Sequence, residues 1–413
     1  MNKFSTNHPL IKNTAEYVKY KKQVSIHSED RNIEKYPSAS YFEIELPEDI
    51  TNIEKAELIS WCFPSNYDVF SVANKNLLIT FKFTEFYPPL TSPPAPASAY
   101  ITMVNDIYTL LNLPQYANHE YVVTIQPGSY SPTQFVQELE NRFNYAVQEY
   151  IVAVLVENGY SFAQIDDYLN PPSPYVGGYN GFSVAFNEVS NKVWFGNNNA
   201  AFIITNASDI LRGTLAGITC VFKALPDFSN WGLPSYIGFT RTDEHSKIAV
   251  SERDHRFFYT NYKLAVALGG TGDWINTDPV YPTAPINYIQ CPNKINLMGP
   301  SHFYMEIAGL NNLDETSPYN VSLFTRQTNI TNGRVNSAFA KIGVAGIPLS
   351  MFYEANQDQN YKYFDPPAER IRRLQITIRY HDGLPVNFET FNYSFVIQFI
   401  TLDARIETNY KMR

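Results

Sequence analysis

The reading starts from Arg373-Leu374-Gln375-Ile376-Thr377-Ile378-Arg379-Tyr380, closed by His381-Asp382-Gly383. Leu374, Ile376, Ile378 and Tyr380 alternate with Arg373, Gln375, Thr377 and Arg379, a period of two that presents one apolar face to a core and one polar face to water. Gly383 supplies the positive φ that the turn after the strand requires. The same alternation recurs near the other end, where Phe42, Ile44 and Leu46 interleave with Tyr41, Glu43 and Glu45. Pro47 is expected to stop that ladder, because it has no N–H to donate.

Outward from these two strands, further runs have strand length and β-branched or aromatic content. They are Ala56 to Phe63, Leu77 to Phe86, Tyr121 to Ile125, Phe182 to Phe186 with its return Lys192 to Phe195, Ala201 to Thr205, Phe303 to Ile307, Ala338 to Val344 and Ser394 to Thr401. One firm helix interrupts them: Ser131 can cap it, Pro132 suits its first position, Gln134 completes a capping box, and Phe135, Leu139, Phe143 and Val147 form its apolar stripe up to Gly159. A shorter helix follows over Ser161 to Leu169. With many strands, little helix and no alternation of strand and helix, the chain reads as all-β, an antiparallel sandwich with a helix-containing insertion. Residues 1–40 read as an extended polar arm, and 41–413 as the body, interrupted at about 130–300 by an irregular insertion or small subdomain.

Composition narrows the function classes. The 413 residues carry a net charge of −9, so no global basic field draws the chain to nucleic acid. Only 17% of residues are charged while 15% are aromatic, a balance that favours protein interfaces built on Tyr and Trp. Cys62, Cys220 and Cys291 are odd in number and far apart, which fits neither a disulfide framework nor paired zinc ligands and suits a reducing compartment. Residues 1–30 hold five lysines and no apolar core of a leader, and no run approaches the length of a membrane span. The sequons at Asn206, Asn320, Asn329 and Asn392 then read as products of an Asn-rich chain.

The search for chemistry yields little. Gly269-Gly270-Thr271-Gly272 lacks the Lys-Ser/Thr of a phosphate loop. His245 and His255 stand ten apart in a charged stretch, a spacing that matches no metal motif. His381-Asp382 sits in a turn without a nucleophile motif, and Glu43 with Glu45 is a carboxylate pair of the kind half-exposed strands carry routinely. The reading is therefore no enzyme, with no catalytic, cofactor or metal residues.

Several segments together resemble a known family. Ser28-Glu29-Asp30-Arg31-Asn32, Tyr36-Pro37-Ser38-Ala39-Ser40-Tyr41-Phe42-Glu43-Ile44-Glu45-Leu46-Pro47 and Asn52-Ile53 resemble the opening of minor capsid and penton-like proteins of the nucleocytoplasmic large DNA viruses. Ile125-Gln126-Pro127-Gly128-Ser129-Tyr130 before the helix is similar to that family's strand-turn-helix element. So is the ending, with Phe364, Pro366, Ile371, Leu374 to Ile378, Asp382-Gly383, Val386-Asn387-Phe388 and Phe395-Val396-Ile397. The stretch from about Tyr160 to Pro300 has no counterpart.

The resemblance implies a jelly-roll fold and a structural role in an icosahedral capsid, assembled in host cytoplasm. The partners it implies are the major capsid protein, other capsid proteins and copies of itself, with a homopentamer as one form; neither nucleic acid nor direct membrane insertion is expected. Tyr17, Tyr20, Lys21 and Lys22 of the arm and Pro88, Pro89, Pro93 and Pro94 of a proline-rich loop are the candidate interface residues. The alternative is a receptor- or glycan-binding β-sandwich using aromatics of the 210–290 region, and a third reading is a carbohydrate-active enzyme relying on Glu43 and Glu45.

Overall fold

The computed structural model describes residues 17–86, 99–205, 207, 232–249, 275, 278, 284–315, 337–344, 350–355, 360–381 and 383–404. The chain divides into two compact units, one built from both ends (Met1–Tyr67 with Pro300–Arg413) and one from the middle (Asp68–Gly299).

The first unit opens with β1 (Tyr17–His27) and β2 (Tyr41–Ser65). The middle unit holds β3 (Leu78–Phe86), α1 (Ala99–Leu111), β4 (Glu120–Thr124), α2 (Pro132–Glu157), α3 (Phe162–Leu169), β5 (Phe182–Asn187), β6 (Lys192–Asn197) and β7 (Ala200–Ile204). It continues through α4 (Leu233–Ile237), β8 (Glu244–His245), β9 (Lys247–Ile248) and β10 (Asn287–Gln290). The first unit then resumes with β11 (His302–Ile307), β12 (Ala340–Gly343), β13 (Ser350–Ala355), β14 (Tyr361–Arg379) and β15 (Ser394–Ala404). Every pairing between these strands is antiparallel, the all-β class expected from the alternation and consistent with a jelly roll.

In the first unit a single sheet runs β1-β15-β2-β14-β11-β12, with β13 also paired to β2. The 25-residue β2 is its spine. It pairs with β14 along its first two thirds, with β15 from Ile53 to Cys62 and with β13 from Ser60 to Ser65. Irregularities in register interrupt the β14 and β15 pairings, and bulges of this kind bend a strand and increase its twist. The bending is visible in the core. Phe63 on β2 and Phe303 on β11 are not on neighbouring strands, yet their rings lie 4.8 Å apart, so the sheet curls over on itself. Tyr393, 4.6 Å from Phe63, fills the same interior and donates from its hydroxyl to the Ala39 carbonyl at 2.7 Å.

Two expectations are corrected here. Residues 17–27 are not an arm: β1 is paired to β15 from Tyr17↔Ala404 to His27↔Ser394, with Val24 and Ile26 buried. Its alternation was masked in sequence by Lys19, Lys21 and Lys22, charges that suit an edge strand. Nor does Pro47 end the strand. It is exposed and falls between the paired residues Glu45 and Ile50, where the ladder makes no demand on its missing N–H.

The middle unit has two four-stranded sheets, β5-β6-β10-β9 and β4-β3-β7-β8. Phe143 of α2 joins their cores, with its ring 4.8 Å from Phe81 on β3 and 5.2 Å from Phe195 on β6. The start of α2 is as read: the Ser131 side chain accepts from the Gln134 N–H, the Gln134 side chain accepts from the Ser131 N–H, and Pro132 takes the first turn. Gly159 follows the helix in the left-handed region, with φ at 79°. The capping box repeats at Ser161 and Gln164 for α3. Helix α1 was not anticipated, although Tyr100, Val104, Ile107, Tyr108 and Leu111 bury one helical face. The boundary of this unit falls at Asp68 instead of near residue 130, so β3, α1 and β4 belong to it and not to the body.

One network of polar groups buried in the middle unit is built from neutral side chains. Tyr179 Oη donates to Asn199 Oδ1 and accepts from Asn197 Nδ2, both at 2.8 Å. Asn199 Nδ2 donates to Tyr108 Oη at 2.8 Å, and Asn197 Oδ1 accepts from the N–H groups of Asn199 and Ala200. Burial holds the Tyr179 phenol well above its ordinary range, which keeps it a neutral donor.

Candidate assembly surface

On β2, Trp61 and Phe63 point to the core while Cys62 and Ser60 do not. A bulge at Ile59, where β15 steps from Ser60 to Leu58, shifts the alternation so that Ala56 faces inward and Glu57 and Lys55 outward. Cross-strand partners share a face, so Tyr353 opposite Cys62, Tyr361 opposite Glu57 and Tyr363 opposite Lys55 stand on this outer face. Tyr353 is 81% exposed, Tyr363 59% and Met351, two residues before Tyr353, 51%. Large side chains that keep a polar tip or a flexible thioether, left in water on a sheet face, are the residue types enriched at protein interfaces.

The ground between these aromatics is charged but closed. Lys55 Nζ lies 3.1 Å from Glu57 Oε2, and both side chains are buried. The ammonium also sits over the Tyr361 ring at 4.7 Å and the Tyr363 ring at 5.6 Å. An ion pair and two ring faces together offset the desolvation of a charge that would otherwise be costly to bury. Tyr361 and Tyr363 are thereby held in place from beneath, which lowers the entropy they would lose on meeting a partner.

A second charged cluster lies on β14 and β11. Arg379 donates through Nε to Glu306 and through Nη2 to Glu315, and His381 Nδ1 is 2.8 Å from Glu315 Oε2. Burial disfavours the Arg379 charge, but the hydrogen bonds to Glu315 and Glu306 outweigh it and hold the guanidinium firmly protonated. The cluster ties the end of β14 to β11 and to Glu315 beyond it. Asp382 lies outside the described residues.

The residues singled out from sequence fall as follows. Tyr20, Lys21 and Lys22 lie on β1 opposite Thr401, Ile400 and Phe399, and Tyr17 begins the strand opposite Ala404. Tyr20 is exposed, Lys22 forms an ion pair with Glu48, and the neighbouring Lys19 pairs with Glu54. Pro88, Pro89, Pro93 and Pro94 lie outside the described residues. Glu43 and Glu45 do share a strand face, but Arg373 reaches both, at 3.5 and 3.3 Å, and Arg372 reaches Glu45 at 3.2 Å, so the pair belongs to a surface ion ladder. Among the described residues no group of three or more His, Cys, Asp or Glu is arranged to hold a metal ion, and His255 lies outside them. Cys62 and Cys291 are free thiols, the latter buried and held above its ordinary range by that burial. No described helix is long and apolar enough to cross a membrane.

Sequence reading missed Tyr353 and Tyr363. Their signal was present in Met351-Phe352-Tyr353 and Tyr361-Lys362-Tyr363-Phe364, because consecutive aromatics on a strand cannot all face one core.

Comparison with known proteins gives no family model and no curated protein that matches. Among solved structures, the chain is similar to one in the cryo-EM structure of the Sputnik virophage, with a TM-score of 0.37 and 10% identity over 93% of this chain and 98% of that one. It is similar to the mavirus penton protein with a TM-score of 0.35 and 8% identity, over 94% of this chain and all of that one. At such values the overlap leaves fold and function to be argued from strand order and surface chemistry.

Proposed function

We propose that this chain is a structural protein of an icosahedral viral capsid that binds copies of itself or neighbouring capsid proteins through the outer face of the β2, β13 and β14 sheet. The observation that carries the reading is Tyr353, Tyr363 and Met351 standing exposed on one sheet face, with the Tyr363 ring over the buried Lys55 ammonium. The ordered resemblance of the two chain ends to penton-like and minor capsid proteins supports it, as does the curled antiparallel sheet those ends build. In this reading the major capsid protein and a homopentamer are the partners to test first, the site of action is the virion shell, and assembly takes place in host cytoplasm. Tyr20 and the lysines of β1 then act from a sheet edge instead of a free arm.

The test is the mass of the purified chain by light scattering, alone and mixed with the major capsid protein, for wild type and for Tyr353→Asp/Tyr363→Asp. The expected result is a closed ring or a stable complex that the double variant loses while its circular dichroism stays unchanged. A wild-type chain that remains monomeric and leaves the major capsid protein unbound would sink the proposal. Binding on a glycan panel by that monomer would turn the reading to the receptor-attachment alternative.

A further inference from the structure

Among the described residues, the middle unit leaves one edge of a strand unpaired. Strand β4 lies at the end of the order β4-β3-β7-β8, and among the described residues only β3 pairs with it. The Ile125 N–H donates to the Leu77 carbonyl on the β3 side, and the register from Leu78↔Thr124 to Lys82↔Glu120 has no shift. In an antiparallel ladder these groups alternate, so the N–H and C=O of Val123 and Tyr121 also point to β3, while those of Val122 and Thr124 point the other way.

Along that side runs a groove of about 510 Å³. All residues from His119 to Thr124 line it, both those that alternate up and those that alternate down, so it follows the edge of the strand and not one face of the sheet. Its far wall is one face of α2, with Arg142, Tyr145, Ala146, Glu149 and Tyr150 at helical spacing. The end is braced by the His119 ring stacked on Tyr150 at 3.7 Å. Backbone groups on one side and a helix wall on the other are what an added strand needs: a ladder for affinity and a wall to read alternate side chains.

We infer that this groove receives residues 405–413 of a second copy of the chain as an added strand. Three observations select this occupant. Arg405-Ile406-Glu407-Thr408-Asn409-Tyr410-Lys411-Met412-Arg413 alternates strictly, with Ile406, Thr408, Tyr410 and Met412 on one side and Arg405, Glu407, Asn409, Lys411 and Arg413 on the other. It follows directly on β15, which ends at Ala404. Its three cations against one acidic side chain complement a groove lined by Glu120, which accepts from Thr205 Oγ1, and Glu149, which accepts from Tyr145 Oη, while Arg142 pairs with Glu138 at 2.7 Å. The apolar row suits the face of Val122, and Lys411 and Arg413, on the opposite face, suit Glu149 on the α2 wall. The inference stands on the edge geometry and holds whatever position the chain takes in a shell.

Hydrogen exchange at the Val122 and Thr124 amides tests it, read on the full-length wild-type chain and on full-length Ile406→Asp/Tyr410→Asp, each at high and low protein concentration. The expected result is exchange at least tenfold slower in the wild type at high concentration, lost both on dilution and in the double variant. Glu149→Lys, which leaves the ladder intact, should weaken the protection severalfold and steepen its loss on dilution. Equal exchange in wild type and double variant overturns the inference, since the tail is then not the occupant. Protection that the double variant loses but dilution does not remove overturns the second copy, because the tail then fills the groove of its own chain.

Discussion

Two buried polar networks, one in each unit, are built by opposite means. In the first, charges are taken inside and matched: Lys55 with Glu57, and Arg379 with Glu306 and Glu315. In the second, the network of Tyr108, Tyr179, Asn197 and Asn199 is neutral throughout, and the interior around it is a lattice of rings centred on Phe81 and Phe143. A charged network is costly to break and answers to salt and pH, whereas a neutral one costs less and ignores both. The difference predicts distinct responses of the two networks to the same perturbation.

The largest effects should come from the ring cores. Phe81→Ala and Phe63→Ala each remove a fully buried ring with several aromatic neighbours, at about 3–5 kcal/mol. Calorimetry with hydrogen exchange should show each variant lowering the stability of its own unit only. A common shift in both units would break the comparison at its root. Next is Glu315→Ala, which leaves the buried Arg379 short of one partner and frees His381, at about 3 kcal/mol by denaturant titration. Asn199→Ala in the neutral network should cost less, about 1–3 kcal/mol, with no dependence on ionic strength. A reversed order of these two would show that charge matching is not what distinguishes the units.

Smaller still is a pH effect in the middle unit that arises outside its neutral network, at Glu140. Burial pushes the Glu140 carboxyl above the ordinary carboxylate range, partly countered by the hydrogen bond it accepts from the Val184 N–H at 2.8 Å. Its folded pKa thus exceeds the unfolded one, so the folded chain binds more protons between the two. Stability therefore falls as pH rises through that window and is flat on either side. Glu140→Gln should remove the slope, with its gain over wild type greatest above the window and vanishing below it in urea titrations at several pH values. The smallest effect is expected for Lys19→Ala, whose exposed pair with Glu54 contributes about 0–1 kcal/mol, lost in high salt.

How much of this was legible depends on what each residue answers to. Local chemistry read true: the Ser131 capping box, the short helix after Ser161, the hairpin from Phe182 and the turn at Gly383 are fixed by residues a few positions apart. Long-range pairing did not. Val18, Tyr20 and Lys22 gave no reason to expect a strand, because their partner β15 lies at the other end of the chain. Likewise nothing near Lys55 and Glu57 announced burial, since the rings that cover Lys55 belong to β14. The exposed tyrosines escaped for the opposite reason: aromatic strands look like core until a register assigns each side chain a face.

The 25-residue β2 also sets a timetable for synthesis. Every strand that pairs with it lies after the middle unit, so when Ser65 leaves the ribosome roughly 340 residues separate it from the end of β15. At about 5–20 residues per second the apolar row of β2 waits some 20 to 70 s for its neighbours. Asp68–Gly299 is complete well before that, and can fold while the strands of the first unit are still unpaired. The nascent chain therefore carries a finished domain beside an open apolar ribbon, a binding target for chaperones that closes when β15 arrives.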